Sequence, residues 1–233
     1  MNTEGRIRLP QEKNSNAMFD AFCDVERLVG DLAQPGTVQG SVEELRIVLQ
    51  RIKNYTVQLK ERNRELRFQA MIDSLTGLLN RQAFFLYAEA LQNDCKKQQH
   101  AMSCLLLDID YFKTINDRYG HHVGDRALVY LADVLHHSVR STDLVCRYGG
   151  EEFAVFMPSA DLARASDLAE RLRRRVESKV GPRVLESQNV AVTASIGVAS
   201  CANSRTRLQT LLKEADRALY TAKRDGRNRV HLA

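Results

Sequence analysis

A change of hydrophobic period near Asp73 constrains this chain more than any other feature. From about Ser15 to Ala70 the apolar residues recur at helical spacing. Beyond Asp73, short apolar runs alternate with amphipathic stretches. The 233 residues suffice for one domain with a full core plus an appendage. With 44% hydrophobic and 27% charged residues, the chain is globular rather than disordered. The expected architecture is an α+β domain behind an α-helical region. Apolar runs such as Cys104-Leu105-Leu106-Leu107 are far too short to span a bilayer, so no membrane insertion is expected.

In the helical region, Phe22, Val25, Leu28, Val29 and Leu32 form one apolar face of a helix from Asn16 to Ala33. Gln34-Pro35-Gly36 ends it. Ser41, with Glu44 three residues on, reads as a capping box opening a second helix. That helix places Leu45, Ile52, Leu59 and Leu66 at d positions and Leu49, Thr56, Asn63 and Ala70 at a positions. Leucine at d with asparagine at a describes a two-stranded coiled coil with fixed register. A plain amphipathic helix is the alternative; the unbroken heptads favour the coiled coil. The expected domains are 1–40, a helix that either docks a regulatory protein or folds back; 41–72, a dimerising stalk; and 73–233, a folded domain.

Met1 to Pro10 is polar and lacks a signal-peptide pattern. The five cysteines show no metal-ligand spacing and suit reduced thiols. Both observations point to the cytoplasm. The net charge is +5 and the sequence pI near 9.0, but basic residues are dispersed and aromatics make up only 6%. A solvated basic surface fits this better than nucleic-acid binding, and would suit a phosphate-rich small molecule.

After the turn-rich Asp73 to Arg81, the pattern predicts a helix over 82–97, a buried strand over 102–109 and a loop over 116–124. A helix over 125–140 and a hairpin of strands 144–147 and 153–157 follow, closed by Pro158. A helix over 162–179, a strand over 190–199, a helix over 208–223 and a final short strand complete the chain. The core order is βαββαβ, which suggests a mostly antiparallel sheet covered by helices, as in nucleotidyl cyclases and polymerase palms.

Two places carry candidate chemistry. The strand ending Leu107-Asp108-Ile109-Asp110 runs from a core into carboxylates at its rim. These are either a polar strand end or hard oxygen ligands for magnesium. In Arg147-Tyr148-Gly149-Gly150-Glu151-Glu152-Phe153, Gly149-Gly150 suits a tight turn. The acids after it repel each other unless a cation lies near. Asp108, Asp110, Glu151 and Glu152 form up to four carboxylates along one edge, suited to two-metal nucleotidyl transfer.

These residues resemble the GGDEF family of diguanylate cyclases, in its GGEEF form. The likeness runs from Asp73 to Val230. It includes Asp73-Ser74-Leu75-Thr76-Gly77-Leu78-Leu79-Asn80-Arg81, Asp108 to Asp117, Gly120 to Asp125, Arg147 to Phe153 and Ala218 to Asn228. It implies Asp108, Glu151 and Glu152 as ligands of two Mg2+ or Mn2+ ions per half-site, with the Ile109 carbonyl. Glu151 is also a candidate to help deprotonate the nucleophile. Asn116 and Asp125 would read guanine, and the Phe112 and Lys113 amides would cradle phosphates. Lys223 and Arg227, one helical turn apart, would hold terminal phosphates, or else simply complement a helix dipole. Gly149 and Gly150 would let nucleotide pass close to the backbone.

Arg140-Ser141-Thr142-Asp143 resembles the family's inhibitory product site, with Arg171 as a weaker third member. On composition alone it is a helix end with a basic residue in its last turn. The implied function is condensation of two GTP into cyclic di-GMP and two pyrophosphates across a homodimer held by the coiled coil. A catalytically idle nucleotide-binding module and a cyclase making another nucleotide are the alternatives. Intact Asp108, Glu151 and Glu152 oppose the first, and Asp125 the second.

Overall fold

The computed structural model describes residues 38–69, 71–184, 192–202 and 206–233. The chain divides into two units, one ending at Ala70 and one running from Met71 to Ala233. In the first unit, helix α1 spans Val38–Gln69 without a break. It is already helical at Gly40, so Ser41 lies inside the helix and is not its N-cap. Along α1, Leu49, Ile52 and Leu59 of the heptad seam are exposed. The side chains of Leu45, Asn63 and Leu66, together with Ala70 and the helix expected over 16–33, lie outside the described residues.

The second unit runs β1 (Leu79–Asn80), α2 (Arg81–Gln98), β2 (Met102–Ile109), α3 (Phe112–Tyr119), α4 (His121–His136), β3 (Leu144–Arg147), β4 (Glu152–Pro158), α5 (Leu162–Val184), β5 (Ala194–Cys201), α6 (Leu208–Arg224) and β6 (Val230–Leu232). The described strands form a six-stranded sheet in the order β1-β3-β4-β2-β5-β6. Strand β2 is antiparallel to both β4 and β5, and β3 is antiparallel to β4. The edge pairs β1–β3 and β5–β6 are parallel. The sheet is therefore mixed around an antiparallel centre.

All of β2 is buried, because helices cover both faces of the sheet. Leu105, Leu107 and Ile109 join the core with Leu128 and Leu131 of α4 and Leu172 of α5. Met102, Cys104 and Leu106 join the opposite core with Phe84 of α2 and Leu211 and Leu219 of α6. Alternation sends successive side chains to opposite faces, so a strand covered on both sides reads as an unbroken apolar run. Among the described residues no helix is long and apolar enough to cross a membrane.

Several expected boundaries move: the helix expected over 125–140 runs from His121 to His136, and the one expected over 162–179 extends to Val184. The loop expected over 116–124 is mostly helix: α3 and α4 are separated by Gly120 at φ 85° and ψ 158°. Glycine reaches that conformation without a Cβ clash, so one residue breaks the helical path where the sequence suggested a longer loop. The strand expected over 190–199 is described from Ala194 to Cys201, in register with β2 from Met102 to Ile109.

Gly197 of β5 faces α6, and a Cβ there would overlap the Ala215 carbonyl and the Leu219 amide. Helix α6 thus rests directly on sheet backbone. Gly197→Ala should destabilise the domain by on the order of 3 kcal/mol, measured as a lower urea midpoint at unchanged slope. A change within experimental error would show that α6 can lift without cost.

Candidate active site

The site lies where the central strands end. Asp108, the penultimate residue of β2, sits opposite Glu152 in the β2–β4 register. The even-numbered residues of β2 face α6, and Lys223 in the last turn of α6 places Nζ 2.7 Å from Asp108 Oδ2. Burial pushes the Asp108 carboxyl up; the Lys223 ammonium opposes this, and neighbouring Asp110 adds to it. Burial also raises the Glu151 carboxyl, reinforced by the charges of Asp108 and Glu152 and opposed by Lys223. Carboxylates held against their mutual repulsion favour a cation among them.

The hairpin loop is wider than a two-residue turn. Arg147 pairs with Phe153, and the Tyr148 and Gly149 amides both donate to the Glu152 carbonyl, at 2.7 and 3.2 Å. Neither Gly149 nor Gly150 adopts positive φ. The tight-turn expectation for the glycine pair is therefore corrected. Gly149 instead makes room, since a Cβ there would lie 2.6 Å from Glu152 Oε2. Nothing lies within 4 Å of a Cβ at Gly150.

Arg147 braces the loop. Its Nε and Nη2 donate to the Gly150 carbonyl at 3.0 and 2.7 Å, and its Nη1 lies 3.3 Å from both Asp73 carboxylate oxygens. Asp73 also caps Thr76, accepting from its amide at 2.9 Å and its hydroxyl at 2.7 Å. Burial raises the Asp73 carboxyl, but the Thr76 hydrogen bonds and the Arg147 guanidinium outweigh it and hold it below its ordinary value. Next to this brace, the Arg81 guanidinium stacks 4.6 Å from the Tyr148 ring centroid.

Across the site, Asn116 of α3 lies against Gly124 at the start of α4, where a Cβ would overlap Asn116 Oδ1. Asn116 Oδ1 is buried and has no hydrogen-bond partner. A buried acceptor left unpaired is uncommon in a folded chain. Asp125 follows Gly124 and is exposed. Phe112 and Lys113 open α3 rather than lying in a loop; Tyr111 before them is left-handed, at φ 55°, and supplies no side-chain cap. The Phe112 ring is buried in the core, so only its main chain can face a ligand, whereas Lys113 is exposed.

Two further expectations change. Arg227 is not one turn along a helix from Lys223: α6 ends at Arg224, Gly226 turns at φ 116°, and Arg227 follows at φ 62°. Its guanidinium stacks 4.4 Å over the Tyr111 ring. Asp110 is not a fourth free carboxylate. It accepts from Ser195 Oγ at 2.6 Å, Thr193 Oγ1 at 2.7 Å and the Asn228 amide at 3.0 Å, bolting β2, β5 and the loop after α6 together.

The donors fit a hard divalent cation. Asp108 and Glu151 offer carboxylate oxygens, and Ile109 ends the same strand. Among the described residues no group of three acidic, histidine or cysteine side chains forms a cage alone. Such a site suits an ion that takes one or two carboxylates and completes its shell with water and substrate phosphates.

The second cluster also assembles. Arg140, Asp143 and Arg171 line one cleft of about 160 Å³ with Ser138, Arg164 and Asp167. Asp143 Oδ2 accepts from the Arg140 amide at 2.9 Å, and Arg171 donates to the Ser138 carbonyl at 2.9 Å. Burial raises the Asp143 carboxyl, partly offset by Arg140.

The pattern of the family described as "Diguanylate cyclase, GGDEF domain" matches residues 70–229. The chain belongs to the GGDEF family. It is 39% identical over 199 residues to the response regulator PleD of Caulobacter vibrioides, covering 85% of this chain and 44% of that protein. The chain spans about half the length of the curated relatives it matches. The coiled coil and GGDEF domain of DgcB from Caulobacter crescentus, solved with c-di-GMP, superimposes with a TM-score of 0.72 at 31% identity, covering 81% of this chain and 99% of that one. The diguanylate cyclase SiaD of Pseudomonas aeruginosa, solved with its activator SiaC, gives a TM-score of 0.66 at 30% identity, covering 94% of this chain and 83% of that one. Enzymes of the GGDEF family depend on divalent metal.

Asp73 and Arg147 both stand within this GGDEF domain's motifs, but their brace is not legible in those motifs. The signal available is Asp73-x-x-Thr76, a local capping pattern that marks Asp73 as a hydrogen-bond acceptor. The Asp73 carboxyl is held low, so its contribution is complete above the ordinary Asp range and lost as pH falls through the lowered value. Asp73→Asn should lower unfolding stability by about 1 kcal/mol near neutral pH. The gap should close in acid, as followed by urea titration at several pH values. A gap independent of pH would remove the ion pair as its cause.

Proposed function

We propose that this chain is a diguanylate cyclase that condenses two GTP molecules into cyclic di-GMP and two pyrophosphates. The observation that supports guanine specificity is that α3 and α4 bring Asn116 against Gly124, with Asp125 exposed next to it. Guanine offers an amino group and a ring N–H on one edge; adenine has no such donor pair. Asn116 and Asp125 are two acceptors suited to that edge. The opposite side of the site carries the charges that a triphosphate needs. Asp108, Glu151, Glu152 and the Ile109 carbonyl would hold Mg2+ or Mn2+, two ions per half-site, and Lys113, Lys223 and Arg227 would meet phosphate oxygens.

The bound ions would supply charge neutralisation at the reacting phosphate and acidification of the 3′-hydroxyl. The chain's own residues orient and stabilise. Lys223, now 2.7 Å from Asp108, can exchange that carboxylate for phosphate when nucleotide enters. The Phe112 and Lys113 amides at the uncapped start of α3 suit phosphate oxygens. Glu151, with its raised carboxyl, is the candidate to receive the proton of the attacking hydroxyl.

One domain holds one GTP, so the reaction needs a second copy facing it. The exposed Leu49, Ile52 and Leu59 seam of α1 supports a parallel coiled coil through residues 41–72 as the dimerising stalk, with 73–233 as the cyclase domain. Such a tether would raise the local domain concentration to about the millimolar range. Residues 1–40 would dock a separate regulatory protein, as the SiaD–SiaC complex suggests by analogy. Arg140, Asp143 and Arg171 would bind the cyclic product and inhibit. The reaction would take place in the cytoplasm, without nucleic acid as a partner.

The protein incubated with GTP and Mg2+ should yield cyclic di-GMP and pyrophosphate in a ratio of one to two, separated by chromatography. Glu151→Ala should reduce the rate by about 10²-fold or more. Arg140→Ala should retain synthesis and lose inhibition by added product. No cyclic product from GTP-saturated protein would sink the proposal. Unaltered feedback in Arg140→Ala would remove only the inhibitory site.

A further inference from the structure

The loop between α6 and β6 presents Arg227 on an unusual backbone. Gly226, Arg227 and Asn228 adopt φ of 116°, 62° and 45° in succession. Left-handed backbone at consecutive non-glycine residues costs energy, and persists only where surrounding contacts over-determine it. Here they converge on Asn228. Its amide nitrogen donates to Asp110 Oδ2 at 3.0 Å, its Oδ1 accepts from Arg173 Nη1 at 2.8 Å, and its Nδ2 donates to Glu177 Oε1 at 2.8 Å. Both ends of the side-chain amide are therefore matched, acceptor to cation and donor to carboxylate.

The partners are themselves fixed. Arg173 lies on α5 with its side chain 15% exposed, and it bonds Glu170 Oε1 and Glu177 Oε2 at 2.9 Å each. The Asn228 and Arg173 hydrogen bonds hold the Glu177 carboxyl below its ordinary value. On the other side of the loop, Arg227 donates to the Ala222 carbonyl through its amide at 3.0 Å, and its guanidinium stacks on Tyr111. The guanidinium is thus oriented by Tyr111, while its backbone is held by α5 through Asn228.

We propose that Asn228 and Arg173 form a clamp that positions Arg227 for the terminal phosphates of the nucleotide, with neither clamp residue touching the nucleotide itself. This rests on the reading of Arg227 as a phosphate ligand. A bidentate guanidinium contact depends on where the planar fork starts. With the clamp broken, the loop relaxes toward ordinary negative φ and the fork leaves its place over Tyr111. Clamp variants should then weaken triphosphate binding and spare the guanosine end, because Asn116 and Asp125 lie on α3 and α4, elements that Asn228 and Arg173 do not bond.

The test is calorimetric titration of the full chain with α,β-methylene GTP and, separately, GMP, each with Mg2+. Asn228→Ala and, independently, Arg173→Leu should bind the triphosphate analogue about tenfold more weakly and GMP within about twofold of the parent. Asn228→Asp combined with Glu177→Gln reverses the polarity of one bond while keeping the acceptor for Arg173, and should recover most of the loss. Arg227→Ala separates the two readings. If Arg227→Ala binds the analogue as tightly as the parent, Arg227 is no phosphate ligand and the clamp's role falls with it. If Arg227→Ala weakens binding and both clamp variants do not, the clamp alone is overturned. Equal losses for analogue and GMP in the clamp variants would reduce it to general structural support and also overturn it.

Discussion

The register between β2 and β4 is the constraint on which the site depends. Because Asp108 sits opposite Glu152, the end of the most buried strand and the start of the glycine hairpin's second strand share one edge. A slip of one residue would turn Asp108 toward the other helical layer and Leu107 toward the site. Burial on both faces prevents that slip, since the alternating side chains of β2 are committed to two separate cores. The carboxylates are placed by the core behind them rather than by their own contacts.

Much of this was readable from the residues. The unbroken apolar run of β2 and the turn signal at Gly149-Gly150 gave the hairpin and its neighbours, and the amphipathic stretches located the covering helices. What was hidden has a physical pattern. The split of 116–124 into two helices hinges on one glycine conformation at Gly120. The fate of Asp110 depends on hydroxyls at Thr193 and Ser195, more than eighty residues away in sequence. The Asp73–Arg147 pair is likewise long-range, and no local spacing links its members. Arg227 appeared to continue α6 because its spacing from Lys223 fits a helix, whereas Gly226 had already turned the chain. Propensity and spacing report local order; the wiring of a site comes from contacts between distant segments.

The electrostatics of the site form a balanced set. Burial and crowding raise the carboxyls of Asp108 and Glu151, and Lys223 offsets part of that cost by standing against Asp108. At the opposite end Asn116 keeps a buried acceptor without a donor. Each end of the site is therefore incomplete in a different way, one short of positive charge and the other short of a hydrogen bond. In the proposed reaction, the metal ions that accompany the nucleotide would supply the positive charge.

The contact of Gly197 with α6 bears on how such a domain can change over time. Where helices rest on side chains, each exchange of a larger for a smaller residue lets the helix sink or rise. Here α6 meets the sheet at bare backbone, so its height is set by atoms that every amino acid shares. The packing residues around it, such as Leu211, Leu212 and Leu219, can then drift among similar volumes while the helix keeps its seat. The close approach at Gly197 therefore helps to fix the depth at which α6 carries Lys223 to the site.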